Sequence, residues 1–291
     1  TTAYTTNETC LTKYLYYYIK LNVKILDNYS NQSTIPNLDK KSFKKCKIVL
    51  PPPEVQNRII KQLDNIYEVE IESSKKVIES LKMSIETIMK NTIYQDNLQE
   101  YKVKDICEFT KSRLASGKVD SIEGGLYPVI SISRKPKYTN DFEYDDESIY
   151  IASTSSGASS GPYKTKIKYY NGKCRFTSLM LKINVIPDKV NCKYLYYHFN
   201  IIKEFIELNC EKGACNKSLN RDIFDNLKIH IPPIEIQRII LSKIDPKEQL
   251  ITNLEKNIER AEKEATDIMS ILFNQNSSPS IPESSQNDII L

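Results

Sequence analysis

Leu50-Pro51-Pro52-Pro53-Glu54-Val55-Gln56 returns, 181 residues later, as Ile231-Pro232-Pro233-Ile234-Glu235-Ile236-Gln237. In each copy an apolar residue ends a short extended segment, prolines follow, and a long helical pattern begins. Proline suits a first helical turn because its missing N–H would have no partner there. Glu54 and Glu235 fall in that turn, where the helix dipole favours a carboxylate.

Working outward, the duplication extends on both sides. Lys13-Tyr14-Leu15-Tyr16-Tyr17 recurs as Lys193-Tyr194-Leu195-Tyr196-Tyr197, and Leu38, Phe43, Lys47 and Ile48 recur as Leu219, Phe224, Lys228 and Ile229. Asp64 matches Asp245, and Ile78, Leu81, Ile85, Ile88 and Met89 meet Ile258, Ala261, Ala265, Ile268 and Met269. The offset alternates between 180 and 181, as loop insertions in a duplicated unit would leave it. Each copy therefore holds a Tyr-rich amphipathic helix (Leu11 to Leu26; Cys192 to Asn209), a polar loop, a short strand and a long helix.

The long helices carry matching apolar stripes. Leu254, Ile258, Ala261, Ala265, Ile268 and Leu272 are spaced 4, 3, 4, 3, 4, a heptad seam. Ile78, Leu81, Ile85 and Ile88 repeat that seam in the first helix, preceded by Ile59, Leu63 and Ile66. From Glu54 to Asn91 the first helix would run ~57 Å at about 1.5 Å per residue. Pro246 is expected to kink or break the second. A heptad also fits an ordinary core-facing helix; two matched seams favour an antiparallel pair across a pseudo-twofold axis.

Between the helices lies a globular region, expected to be mixed α/β with short, mostly antiparallel strands. Extended segments are expected at 127–132, 148–152, 166–170 and 176–184, with a helix- or strand-like stretch at 103–109. Asn171-Gly172 predicts a hairpin turn. The fold class is thus α+β. The organisation expected is 1–50, the end of a first copy of the globular unit; 51–95, a long helix; 96–231, a complete domain; 232–273, a second long helix; and 274–291, a disordered Ser/Asn/Pro-rich tail.

Composition bounds the function. With 40% hydrophobic and 27% charged residues the chain is a globular one, and no run reaches the ~18 apolar residues of a membrane span. The opening TTAYTTNETC has neither Met nor a signal-peptide pattern and is expected of a chain that starts inside its first copy. Seven scattered cysteines without a C-x-x-C pair argue against disulfides or structural zinc and favour a reducing cytoplasm. His198 and His230 are the only histidines, so no metal centre is expected.

Catalytic motifs are thin. Gly157-Ala158-Ser159-Ser160-Gly161 matches the G-x-S-x-G of serine hydrolases, but Pro162-Tyr163-Lys164 leads into another extended segment where a helix is required. No phosphate-cradling G-x-x-x-x-G-K-[ST] exists. No catalytic residue and no cofactor are expected.

Basic clusters say more. Lys164, Lys166, Lys168, Lys173, Arg175 and Lys182 follow one another without an acid, interleaved with Tyr163, Tyr169 and Tyr170. Arg134, Lys135, Lys137 and Tyr138 form a second cluster, Lys111, Arg113 and Lys118 a third. Lys and Arg beside hydroxyls supply phosphate contacts and base-edge donors; a solvated basic surface fits the same pattern.

The duplicated Pro-Pro-x-Glu-x-Gln segments, each opening a heptad helix, resemble the signature of type I restriction–modification specificity subunits. Gly125-Leu126-Tyr127-Pro128-Val129-Ile130, Tyr138-Thr139-Asn140, Ile149-Tyr150-Ile151-Ala152 and the 157–161 turn are similar to the body of a target recognition domain of that family. The resemblance implies a non-enzymatic reader of double-stranded DNA that directs methyltransferase subunits, and restriction/translocase subunits, to a bipartite site. Methyl donor, ATP and Mg²⁺ would belong to those partners, and the paired helices would serve as spacer and docking surface. Because only the end of a first recognition domain (1–50) is present, the resemblance implies either a truncated product or a half-subunit that pairs with another copy as a homodimer. DNA contacts are expected from Arg134, Lys135, Lys137, Tyr138, Tyr163, Lys164, Lys166, Lys168 and Arg175, and the helix-pair interface from Ile78, Leu81, Ile85, Ile88, Leu254, Ile258, Ala261, Ala265 and Ile268. A coiled-coil interaction scaffold with inert basic clusters is the rival reading.

Overall fold

A computed structural model of the chain describes residues 9–22, 39–43, 46, 48–92, 97–119, 121–133, 136–155, 166–212 and 217–274. Helix α1 (Thr12–Leu21) and the single turn α2 (Lys40–Phe43) precede the first long helix, α3. That helix runs through Pro53–Asp64, Asn65–Ile71 and Glu72–Thr92. Then come β1 (Gln99–Lys102), α4 (Val103–Ile106), β2 (Cys107–Lys111), β3 (Tyr127–Ile130), β4 (Lys137–Thr139), β5 (Tyr144–Ala152), β6 (Thr154–Ser155), β7 (Ile167–Phe176) and β8 (Met180–Val185). Helices α5 (Cys192–Ile201) and α6 (Lys203–Asn209), strands β9 (Glu211–Lys212) and β10 (Lys217–Leu219), helix α7 (Arg221–Asp225) and β11 (Lys228–Ile231) lead to the second long helix, α8 (Ile234–Asn274).

The chain forms two compact units, 1–81 with 249–291, and 82–248. In the first, the start of α3 shares a unit with the end of α8; in the second, the end of α3 shares a unit with the start of α8. Both memberships are those of an antiparallel helix pair.

The first unit is built on tyrosines. Tyr14, Leu15, Tyr17 and Tyr18 of α1 join Phe43, Ile48, Ile59, Leu63, Ile66 and Ile71 in one core, closed by Ala261, Ala265 and Met269 of α8. Each buried phenol finds a partner, as a buried tyrosine needs. Tyr14 donates to the Val49 carbonyl (2.8 Å), Tyr17 donates to Asp64 Oδ1 (2.7 Å), and Tyr18 accepts from the Val49 N–H (3.3 Å). Ile66 and Ile71 are five residues apart yet both buried. The π-helical stretch Asn65–Ile71, with its i→i+5 bonds, brings such a spacing onto one face; Ile78 and Ile85 follow at sevens.

The second unit holds a six-stranded sheet in the order β2-β8-β5-β7-β3-β4, antiparallel except between β3 and β7. Strands β1 and β11 pair along their whole length, Gln99 opposite Ile231, so the region opens and closes on one ladder. Helix α5 packs on the β5 and β7 face that carries Tyr169, whose ring lies 5.7 Å from Tyr196.

Three expectations change. Asn171-Gly172 makes no hairpin: both lie inside β7, opposite Glu147 and Asp146 of one continuous partner strand. Gly172 stays in the ladder at φ +124°, open to it because it has no Cβ, and Cys174 and Phe176 beyond it are wholly buried. Burial on the shared sheet outweighs local turn propensity. Secondly, α8 continues without a break through Pro246. The proline removes one ladder bond to the Ser242 carbonyl; Ser242, Asp245 and Pro246 are all exposed, so water can solvate that carbonyl. Pro246 is the duplication partner of Asn65, where the π stretch of α3 begins. Thirdly, the second Tyr-rich helix is two helices, broken at Ile202. The 274–291 tail lies, after Asn274, outside the described residues, as do the 157–161 turn and residues 1–8.

Candidate nucleic-acid interface

The prolines and the glutamine of the duplicated motif have a shared structural task. Gln56 is fully buried; its Oε1 accepts from the Leu11 N–H (2.8 Å), and its Nε2 donates to the carbonyls of Thr9 (2.8 Å) and Pro51 (2.7 Å). Gln237, equally buried, accepts from the Asn191 N–H (2.8 Å) and donates to the carbonyls of Lys189 (3.3 Å) and Pro232 (2.8 Å). Each glutamine ties the start of a Tyr-rich helix to the start of a long helix. A second tie runs in parallel: Lys13 pairs with Asp64 (2.7 Å) and Glu68 (3.0 Å), Lys193 with Asp245 (2.7 Å) and Glu248 (2.5 Å). Although desolvation opposes it, the Lys13 and Tyr17 hydrogen bonds hold Asp64 below the ordinary carboxylate value.

The sheet sorts the basic candidates by strand alternation. Lys168 of β7 stands opposite Tyr150 of β5, which stands opposite Lys182 of β8, forming one cross-strand row. Lys166 precedes Lys168 by two and shares its face; its ammonium donates to the Ile132 carbonyl. Burial, then the charge of Lys166, lowers the Lys168 ammonium from its ordinary value. Tyr138 of β4, 40% exposed, stands opposite Pro128 on the same side of the sheet and is an electrostatic neighbour of Tyr170. This is the face opposite the one α5 covers.

Lys137 and Arg175 fall on the other face, in the row through Val129. Both are engaged: Lys137 donates to the Val119 carbonyl (2.8 Å), and the Arg175 guanidinium closes on Glu143 Oε1, with Nε at 3.0 Å. Arg134, Lys135, Tyr163 and Lys164 lie outside the described residues. By alternation Lys166, Lys168 and Tyr138 thus share one side of the sheet, on which Tyr150, Cys174 and Phe176 are wholly buried, Lys166 and Lys168 half-buried and Tyr138 exposed; Lys137 and Arg175 lie on the other side.

Lys182 belongs to the interior. It is 3% exposed and donates to Asp146 Oδ2 (2.5 Å) and Asn184 Oδ1 (2.9 Å), with Tyr144 4.6 Å beneath its ammonium. Asn184 returns hydrogen bonds to Asp146 and Ser148, both 3.0 Å. Burial works to raise the Asp146 carboxyl, but Lys182, Asn184 and Ser148 together hold it below its usual value. Sequence reading placed Lys182 in a surface cluster; its position among Met180, Leu181 and Ile183 was the signal for a buried, paired lysine.

Among the proposed helix-pair residues, Ile78, Ile85, Ala261 and Ala265 are buried, while Leu81, Ile88, Leu254, Ile258 and Ile268 are half-buried. Met89 and Met269, which the heptad reading did not single out for the interface, are buried almost completely. Among the described residues no group of three His, Cys, Asp or Glu side chains is arranged to hold a metal ion. His198 lies buried in α5, its Nδ1 without a hydrogen bond among the described residues, and burial, then His230, lowers it to about 4. No helix among the described residues is long and apolar enough to cross a membrane.

Comparison with known proteins bears on this arrangement directly. Residues 3–83 and 95–263 match the family described as the type I restriction modification DNA specificity domain. A protein of Mycoplasma pneumoniae assigned as a type I specificity subunit is 26% identical, the match covering 84% of this chain and 92% of that one. The specificity subunit of the type I restriction enzyme MjaVIII of Methanocaldococcus jannaschii is 24% identical, over 89% of this chain and 69% of its own. The crystal structure of a type I restriction–modification S subunit from M. genitalium shares the fold, with a TM-score of 0.60 at 13% identity, covering 91% of this chain and 73% of that one.

Proposed function

The chain belongs to the type I restriction–modification DNA specificity family, and from that premise we propose how its parts divide the work of reading DNA. It is a non-catalytic component that binds double-stranded DNA in a sequence-specific way and directs methyltransferase and restriction partners to the site. Residues 96–231 form the complete recognition domain, 51–95 and 232–273 the spacer helices, and 1–50 the end of a first recognition domain. The chain works in the cytoplasm, where its target DNA lies and where the buried thiols of Cys10, Cys107, Cys174, Cys192 and Cys210 stay reduced.

The observation that supports a DNA-facing surface is exposed Tyr138 on edge strand β4, with half-buried Lys166 and Lys168 on the same side of the sheet, at the margin of the buried Tyr150, Cys174 and Phe176 cluster. Cations and a phenol on a rigid sheet supply phosphate contacts and a stacking or hydrogen-bonding edge. Arg134, Lys135, Tyr163 and Lys164 join the set on the sequence pattern, and Lys137 and Arg175 contribute if they release Val119 and Glu143 on binding. The matching apolar faces of Ile78, Leu81, Ile85 and Ile88 and of Leu254, Ile258, Ala261, Ala265 and Ile268 hold the helix pair.

One complete recognition domain reads one half of a bipartite site; a second copy of the chain would supply the other half. Sedimentation of the chain with its methyltransferase partner on DNA separates one copy from two. The functional test is duplex binding across a salt series. Affinity that falls steeply with salt and differs between duplex sequences supports the reading; indifference to both favours an interaction scaffold.

A further inference from the structure

The small sheet β6-β10-β9 lies in the same unit as the six-stranded one and carries polar groups in a regular row. Ser218 of β10 stands opposite Lys212 of β9 and opposite Thr154 of β6. Residues directly opposite in an antiparallel ladder share a face, with Cβ atoms about 4.5–5.5 Å apart. Thr154, Ser218 and Lys212 therefore line up across three strands as two hydroxyls and one ammonium. Alternation sends Glu211 to the reverse face with Leu219, so the row holds no carboxylate.

The row is fixed to the main sheet beside the cations already described. The Leu219 N–H donates to the Ser153 carbonyl (3.0 Å), and the Ala152 N–H donates to the Lys166 carbonyl (2.9 Å). Thr154 thus follows within two residues of the strand position that meets Lys166. Lys212 and Ser218 are exposed.

We propose that Thr154, Ser218 and Lys212 form a backbone-contacting row that grips DNA phosphates and sets the register of the recognition domain on the duplex. The inference rests on the reading of the chain as a DNA-binding subunit. Short hydroxyls and a single flexible ammonium suit phosphate oxygens. The row has no planar Arg, Asn or Gln fork; its Lys, Ser and Thr donate to phosphates as to base edges, and the dependence of binding on duplex sequence tells the two apart. Its contribution is independent of base sequence.

The test titrates a fluorescent mixed-sequence duplex with the full chain at several salt concentrations. Lys212→Ala is expected to weaken binding about three- to tenfold on every duplex alike and to lower the salt slope by about one. Ser218→Ala is expected to weaken it about threefold with the slope unchanged. Lys256→Ala, the same charge change on α8, leaves both as they are. Should circular dichroism show Lys212→Ala misfolded, Lys212→Gln takes its place. Unchanged affinity and slope in the Lys212 variant, with the parent chain binding normally, overturns the row and leaves the functional reading standing. A changed preference among sequences overturns the assignment to the backbone. A parent chain without salt-dependent binding removes the functional reading itself.

Discussion

Gln56 and Gln237 are one side chain used twice: each is fully buried, accepts one backbone N–H and donates to two backbone carbonyls at equivalent positions of two copies. The Pro-Pro-x-Glu-x-Gln motif is thereby a device for joining the start of a Tyr-rich helix to the start of a long helix. Replacing Gln237 by Leu strands the Asn191 N–H and the Lys189 and Pro232 carbonyls. A buried group left unsatisfied costs about 1–3 kcal/mol, so we expect roughly 3 kcal/mol in urea unfolding. Gln56→Leu should cost about the same. A loss under about 0.5 kcal/mol at both positions, the range of an ordinary surface change, would mean that the clamp is idle.

Asp146 and Lys182 give a pH-dependent prediction. The folded Asp146 carboxyl lies below its unfolded value, so its contribution is present above the unfolded pKa near 3.9 and is lost as pH falls through the folded one. Asp146→Ala leaves the buried Lys182 ammonium without its counter-charge, and such changes cost about 3–5 kcal/mol. Asp146 is partly open to water, so the lower end is expected. Unfolding of both proteins at pH 7 measures it; equal stabilities would contradict the pairing.

His198 should set part of the acid sensitivity. Its folded pKa, about 4, is below the unfolded 6.5, so the unfolded state takes up the proton first and stability falls as pH drops from 6.5 toward 4. His198→Phe, stacked against Tyr194 in its place, should flatten that window. A parallel pH profile for parent and variant would show that His198 titrates normally.

Much of the fold was legible because it is written twice. Tyr14 and Tyr194, Asp64 and Asp245, Gln56 and Gln237 could be paired by counting, and the heptads located the long helices. What stayed hidden depends on which strand lies beside which. Asn171-Gly172 reads locally as a turn, yet partner strand β5 holds it extended. Pro246 reads as a break, yet solvent can take up the one carbonyl it frees. Lys182 reads as surface charge until Asp146 of β5 and Asn184 of its own strand are known to meet it. The row of Thr154, Ser218 and Lys212 joins residues far apart in sequence and has no local signal.

The division of the cations between two faces makes a graded prediction. Lys168→Ala should reduce the salt slope of duplex binding by about one, for the phosphate that is no longer neutralised, whereas Lys166→Ala, whose ammonium holds the Ile132 carbonyl, should also lower stability. Lys137→Ala should act mainly through stability, because its ammonium holds the Val119 carbonyl. Equal effects on the slope from all three would show that the sheet face does not sort them.

The most direct measurement is genome-wide methylation mapping in cells that carry the methyltransferase partner, with and without this chain. The account predicts one discontinuous methylated sequence that vanishes without the chain and changes in both halves, each copy of the chain reading one, when residues 96–231 are exchanged for those of a relative. An identical methylation pattern in all three strains would contradict it.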